Sequence, residues 1–420
     1  IAGAARSFVL HGRTPEYDLE LSPGRVYFGT GGAAPSFIDL HSGEVRESTL
    51  SDIYDIGRIV DVLDNIHYYQ LPVVATDVED PEALDINSAY AVVASTVKHT
   101  GTSMFTATGV QKSVEMFDLM LGGEGKFRQR PFCHYLGCHV VSPLRFAADT
   151  CAAAEAATRL GMPIRLVSAA QTGATSPVTL AGSLVQVLAE ALAGLVFVNL
   201  ISPGHPAILG MLPLVSDLRT GAFTGGGGEQ AANMSACAQI ANFYGIPGFV
   251  SGGMTDSKIP DAQSGYEKGL SVVLAAQAGA NMIGHSCGTQ GSLMGGSLEG
   301  YVIDNDMLGA IQQSVRGIEV SKETLGFDMI KEVTADQGHF LGHPETLARM
   351  KRDFAYPVIA DRLSYGEWQE KGSQDVRARA RAYCMEILKS SGPPRISSDA
   401  DAKIRRHLDI RLPREYMTPS

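Results

Sequence analysis

Positive charge is scarce in this chain. Its 34 Lys and Arg stand against 45 Asp and Glu, a net charge of −11 over 420 residues. That excludes an electrostatic nucleic-acid binder, which needs a basic face. Cysteine is scarce too: Cys133, Cys138, Cys151, Cys237, Cys287 and Cys384, with no Cys-x-x-Cys pair. No disulfide scaffold is written here, and a reducing, cytoplasmic setting is expected. No His-x-His pair of the kind used by metal-dependent hydrolase barrels occurs. No clean Gly-x-Gly-x-x-Gly turn opens a helix after a strand, which weakens a dinucleotide-binding fold. The longest apolar stretch, 184–201, is broken by Glu190 and Gly194. It reads as a helix followed by a strand, not as a membrane span. Nothing inside the chain reads as a signal peptide.

Apolar residues make up 45% and charged residues 19%, an ordinary globular balance. The length suits one large α/β domain with extensions, or two small domains. Residues 1–70 read as a β-rich cap and a helix. Two short alternating runs flank the Pro23-Gly24 turn, and the helix starts at Ser51 or Asp52 with Ile53, Ile56, Ile59 and Val60 on one face. Residues 71–305 alternate short β-branched runs with Ala-rich runs. Strands are expected over 73–78, 103–108, 132–137, 164–169, 196–202, 211–216, 246–251 and 281–286. Most start roughly 30 residues apart, the size of one strand-helix unit. Helices are expected over 147–160, 177–192, 230–244 and 266–278, three of them ending at Gly161, Gly245 and Gly279. The pattern predicts an α/β fold, a (β/α)8 TIM barrel, in preference to an open doubly wound sheet. Residues 306–420 read as a helical extension on the outside of the barrel. The Arg run at 377–381 reads as a solvated face, or as a docking patch for an acidic partner.

In such a barrel the reacting groups sit at the C-terminal ends of strands. Those ends offer Asp77, Gln171 with Thr172, Ser202 with His205, Glu229 after Gly225–Gly228, Met254 to Lys258, and His285 with Cys287. Four glycines before a helix let backbone approach a ligand and would favour an anion; the plain alternative is a flexible connector. Lys258 admits a Schiff-base lyase or aldolase, or a surface pair with Asp256. His285 and Cys287, with Cys384, have zinc-like spacing, as do Cys133 and Cys138 with His134 and His139, and His339 with His343. Yet they alternate along a strand or lie far apart, and the expectation is no metal. Phe105, Phe132, Tyr135, Tyr244, Tyr266 and Phe327 each suit the core. Two or three around one cavity would hold a quaternary ammonium by cation–π contact.

Several segments resemble the trimethylamine methyltransferase family: Asp77-Val, Gly173 to Gly182, Gly225-Gly-Gly-Gly-Glu229, Ala238 to Pro247, Thr255-Asp-Ser-Lys258 with Asp261 and Gly265-Tyr-Glu267, and Gly338 to His343. The resemblance runs over nearly the whole chain. It implies a (β/α)8 barrel that moves a methyl group from a methylated amine to the cobalt of a corrinoid carried by a separate corrinoid-binding protein. No corrinoid held permanently by this chain is implied. The archaeal trimethylamine enzymes hold pyrrolysine directly before the Thr-Asp-Ser-Lys segment, a place that corresponds to Met254 here. Members without pyrrolysine resemble enzymes for quaternary amines such as glycine betaine. The resemblance therefore implies a substrate pocket of Gln171, Met254, Tyr266, Phe132 and Tyr135, served by His285, Glu229 and Asp256. His285 and Gln171 would hydrogen-bond a substrate carboxylate; Glu229 and Asp256 would complement the ammonium or order the loops. A homo-oligomer without membrane or nucleic-acid contacts is expected. A betaine-binding barrel that lost methyl transfer, and a zinc-dependent thiol methyltransferase, remain the other readings.

Overall fold

The computed structural model describes residues 1–335, 338–390 and 395–417. Eight parallel strands form one sheet. In chain order they are β1 (Tyr27–Phe28), β2 (Tyr68–Gln70), β3 (His99–Ser103), β4 (Cys133–Gly137), β5 (Ile164–Ser168), β6 (Ala207–Met211), β7 (Gly248–Ser251) and β8 (Met282–Gly284). β1 pairs with β8, and a parallel bridge from Gly29 to Tyr68 joins β1 to β2, so the sheet closes on itself. Each strand is followed by a helix: α1 (Leu50–Asp61), α2 (Pro81–Ser95), α3 (Ala107–Met120), α4 (Ala148–Leu160), α5 (Leu180–Ile201), α6 (Gly228–Tyr244), α7 (Ala262–Gln277) and α8 (Leu298–Arg316). This is the (β/α)8 barrel that the alternation predicts.

The first strand is not where the alternation placed it. β1 lies inside the segment expected to be a cap, so the barrel crosses the boundary drawn at residue 70. Ser36–Ile38 and Val45–Glu47 form an antiparallel hairpin after β1, and Phe8–Leu10 with Leu19–Leu21 another, next to the N-terminal end of the barrel. There the His11 carbonyl oxygen meets Nδ1 of His99 at 2.8 Å. The strand expected over 73–78 is displaced to Tyr68–Gln70, and 103–108 to His99–Ser103. The strand expected over 196–202 is the end of α5. Its buried residues, Val187, Glu190, Ala191, Gly194, Leu195 and Val198, recur at helical spacing and continue past the glycine. Gly194 is the contact point: a Cβ there would fall 2.5 Å from Nε2 of His139. By length and composition α5 could cross a membrane, with 33% of its most apolar stretch buried; here it covers β5 and β6.

Polar groups fix the helices to the sheet. Thr49 caps α1, not Ser51 or Asp52; Asp52 is the reciprocal partner at the third helical position, and Arg46 grips its carboxylate at 2.7 and 2.8 Å. The Leu50 amide donates to Asp77. The buried Lys98 ammonium donates to the carbonyls of Val60, Leu63 and Ile66, closing the end of α1, and burial pushes its pKa down to about 8. Glu190 accepts from Ser142, Leu144 and Gln186 and from Ser168 of β5, which locks α5 onto the sheet. Burial acts to raise its carboxyl, but these donors outweigh it and hold it below the ordinary range.

The C-terminal helix Val376–Lys389 packs on α8 and α1, and Ser398–His407 packs on α3. The Arg run is neither a bare solvated face nor a docking patch. Arg377 and Arg381 reach the buried Glu299 at 3.7 and 3.3 Å, and Arg379 donates to the Ile359 carbonyl.

Buried neutral histidines make stability acid-sensitive. Burial pushes His67 and His99 down to about 4 and His285 to about 3, and it holds His134 well below the ordinary imidazole range. The unfolded imidazoles take protons below about pH 6.5 while the folded ones do not, so stability falls with pH through that window. Asp55, which burial raises to about 6, contributes with the opposite sign. Urea denaturation between pH 6 and pH 5 is expected to lose about 4 kcal/mol. A midpoint that does not move over that interval refutes the account.

Candidate active site

Alternation along the strands turns Tyr68, Gln70, His99, His134, Arg165, Phe249 and Ser251 toward the lumen. The rings of His99 and His134 stack at 5.2 Å, with Nε2 of the first 3.0 Å from Nδ1 of the second. Arg165 is fully buried; its guanidinium lies 3.8 Å from the centroid of Phe249 and donates to Oε1 of Gln70. Most parallel barrels fill this space with Val, Ile and Leu. Here glycines make room for larger groups. A Cβ on Gly29 would fall 2.3 Å from the Tyr68 ring, one on Gly101 2.2 Å from His134, and one on Gly284 2.4 Å from Phe249.

Above this layer, at the C-terminal strand ends, His285 follows β8 with φ of 54°, a left-handed conformation that is strained for a residue with a side chain. Its Nδ1 meets Ser251 Oγ of β7 at 2.5 Å, and Nε2 makes no hydrogen bond. Burial, then the nearby Arg165 charge, push His285 down to about 3, so it is neutral at physiological pH. Gly253, after β7, has φ of 75°, and a Cβ there would fall 2.5 Å from the His285 carbonyl oxygen. The segments after β7 and β8 thus pack back to back, and Met254 is buried beside them.

The glycine loop is held from below. Asp256 accepts from the amides of Gly225 at 2.7 Å and Gly226 at 3.3 Å, and from the hydroxyls of Thr224 and Ser292. Burial acts to raise this carboxyl; the four donors outweigh it and keep it below the ordinary range. Glu267 accepts from Thr255 and from the Asp256 amide, and a Cβ on Gly226 would fall 2.2 Å from its carboxyl carbon. The loop is therefore a fixed strap, not a flexible connector. It ends in Glu229, exposed at the second residue of α6.

The strand-end residues come together; the aromatics do not. Gln171 is half-buried just after β5, its carboxamide free of hydrogen bonds. Phe132 precedes β4, at the opposite end of the barrel, in a cluster with Phe117 and Phe127. Tyr135 faces the helix layer, its hydroxyl on the carbonyls of Met104 and Thr150. Tyr266 is 65% exposed on α7. These three do not line one cavity, because two lie outside the lumen and one on the surface. Lys258 is exposed and donates to the Asp256 carbonyl, away from the lumen where a Schiff-base lysine would sit. Among the described residues no three His, Cys, Asp or Glu side chains gather in a metal-holding cluster.

Three polar residues escaped the sequence reading. Gln230 is fully buried with neither amide atom bonded, and Asn233 Nδ2 and Ser216 Oγ are buried without partners. Gln230, Asn233 and Met234 share the inner face of α6, and Met234 Sδ accepts from the Ser251 amide at 3.2 Å. Their signal was two amides on the buried stripe of an otherwise Ala-rich helix. Cys138, just after β4, reaches solvent from a crowded recess, and that crowding raises its thiol. Around the mouth Phe105, Leu144, Phe146, Leu218 and Met294 are 58–67% exposed, on the loops after four different strands. A large groove of about 1160 Å³ lies at the other end of the barrel, lined by Tyr27, Asn65, Asp306 and Arg362 among others.

The sequence pattern of the trimethylamine methyltransferase (MTTB) family matches residues 1–413. The trimethylamine methyltransferase MttB of Methanosarcina thermophila is 35% identical over 402 residues, 94% of this chain and 82% of that protein. The glycine betaine methyltransferase of Desulfitobacterium hafniense Y51 is 30% identical over 415 residues, 98% of this chain and 85% of that protein. Among solved structures, the monomethylamine methyltransferase MtmB of Methanosarcina barkeri superposes with a TM-score of 0.56 at 14% identity, covering 92% of this chain and 79% of that one. That likeness is one of fold.

Removing the Asp256 carboxylate leaves four donors short of an acceptor. Asp256→Ala is expected to cost about 2–4 kcal/mol of stability and to speed amide exchange at Gly225 and Gly226. Unchanged exchange at those two amides would show that the strap is held by something else.

Proposed function

The chain belongs to the trimethylamine methyltransferase family, and from that premise we infer that it demethylates a quaternary amine of the glycine betaine type. It is a methyltransferase of the methylated-amine kind. The acceptor in this reading is the Co(I) of a corrinoid carried by a partner protein.

The observation that carries the choice of amine is Met254. Breaking an N–CH3 bond leaves the electron pair on nitrogen. From a quaternary ammonium that gives a neutral tertiary amine, an adequate leaving group. Free trimethylamine must first gain a proton or an adduct. The resemblance puts the electrophilic residue of the archaeal enzymes at position 254. A methionine there packs under Gly225 and offers no electrophile. Positioning and electrostatics are then what the barrel supplies.

In this reading neutral His285 and Gln171 hydrogen-bond the substrate carboxylate at the mouth. Glu229 faces the ammonium, and Asp256 serves by holding the loop that carries it. The aromatic faces offered to the ammonium in this reading are Tyr68 and Phe249 of the lumen, in place of Phe132, Tyr135 and Tyr266. Five exposed apolar side chains around the mouth support docking of a corrinoid-binding partner over it. Six free cysteines and an acidic surface fit a cytoplasmic homo-oligomer.

The test is a screen of amines with cob(I)alamin, followed by its visible spectrum. Glycine betaine is expected to consume the reduced form and trimethylamine to leave it unchanged. His285→Ala is expected to slow the betaine reaction about 10- to 100-fold, the worth of one hydrogen bond to a charged group. Consumption with trimethylamine but not with betaine sinks the reading. Betaine binding without any methyl transfer favours the barrel as a binding protein.

A further inference from the structure

We infer that Arg165 is the inner anchor for a substrate carboxylate, so that the preferred amines are zwitterions with an acid group near the quaternary nitrogen. This rests on the quaternary-amine reading above and adds to it the feature that selects among such amines.

Arg165 is a buried cation without an acid. The groups that act on its charge are Tyr68 and Cys138, and no Asp or Glu is among them. Burial pushes the guanidinium down to about 10, which leaves it charged at neutral pH. Its compensation is the Gln70 carboxamide oxygen, the face of Phe249 and the neutral Tyr68 hydroxyl beside it. Nε and Nη1 are buried with no acceptor in good hydrogen-bond geometry. Beside them His134 Nε2 is also buried and unpartnered. Buried guanidinium groups are ordinarily matched by a carboxylate, because desolvating an unpaired charge is costly. Lys268 pairs with Asp304 at 2.7 Å, and Lys98 holds three carbonyl oxygens. Arg13 also keeps two buried nitrogens unbonded, but the Asp61 carboxylate acts on its charge, whereas no acid acts on that of Arg165. Nη2 of Arg165 has a second hydrogen beyond the one given to Gln70, and with a neighbouring free nitrogen it forms the planar two-pronged donor that matches a carboxylate.

The same charge discriminates. It acts on His285, His134 and His99, so its field reaches both the mouth and the floor of the lumen. A bare cation such as choline would meet that field uncompensated. A betaine supplies the missing acid and cancels it. Neither free nitrogen is reached by solvent in this structure, so binding entails the guanidinium turning off the Phe249 face.

Calorimetric titration with glycine betaine, choline and acetate tests the anchor in the wild-type chain, Gln70→Glu and Arg165→Met. Gln70→Glu places a resident carboxylate on the guanidinium and should keep the fold, at an unchanged or higher melting temperature, even if Arg165→Met does not fold. Wild type is expected to bind betaine at least ten-fold tighter than choline and to bind acetate weakly. Gln70→Glu is expected to lose acetate binding and to bring betaine down to the choline level. A ten-fold preference for betaine that survives Gln70→Glu overturns the anchor. So does equal binding of betaine and choline by the wild type. If acetate and betaine bind in this Gln70-sensitive way but no quaternary amine is ever demethylated, the anchor stands and the methyl-transfer reading falls.

Discussion

A closed barrel of eight strands leaves a lumen that must be filled, and what fills it here decides almost everything else. Aliphatic side chains would give a dry, inert plug. Instead Tyr68, Gln70, His99, His134, Arg165 and Phe249 occupy it, and glycines on neighbouring strands give up their side chains to admit them. The result is a packed core with hydrogen-bonding capacity left over. The imidazoles pay for their burial by staying neutral, which ties the fold to pH. The guanidinium cannot do the same, because its pKa remains well above neutrality after burial.

The mouth is built on the opposite principle. There the carboxylates are saturated: Asp256 has four donors, Glu267 three, and Glu190 four. Saturated carboxylates make struts, and struts hold loops in one place without taking part in chemistry. What stays unsatisfied is then informative by contrast. His285 Nε2, Gln171, Gln230, Asn233 and two of the Arg165 nitrogens are among the groups with bonds still to make.

How much of this the sequence disclosed depends on the range of the interaction involved. Helices were legible where short-range signals acted: the glycine stops at Gly161 and Gly245 coincide with observed helix ends. Gln171, Met254, Asp256 and His285 were legible as strand-end residues because each follows a short apolar run. The alternation failed for β1, a two-residue strand whose identity comes only from closure against β2 and β8. It failed at 196–202, where Val196, Val198 and Ile201 read as a strand but belong to the last turns of a helix fixed by His139, a partner more than fifty residues away. The aromatic cage was misread because period alone does not say which end of a strand a flanking ring lies at. Arg165 was passed over because an arginine in a short apolar run reads as a surface residue on one face of a half-buried strand. Only the barrel, which turns that face inward, makes it the central charge.

In the proposed betaine reading that central charge also orients the substrate. The chain is strongly acidic, so its long-range field draws a positively charged nitrogen toward the surface. Inside, the one lumen group with a full charge among the described residues is positive and would turn a zwitterion end for end: carboxylate down to Arg165, ammonium up toward the mouth. A methyl group is transferable only if an acceptor can approach it along the C–N axis, on the side away from nitrogen. With the acid end buried, that side faces outward, under the ring of exposed apolar loops where a partner would dock. The reverse pose would point the methyl groups into the floor of the barrel, beyond reach. One unpaired arginine is thus enough to couple the choice of substrate to the direction from which the acceptor must come.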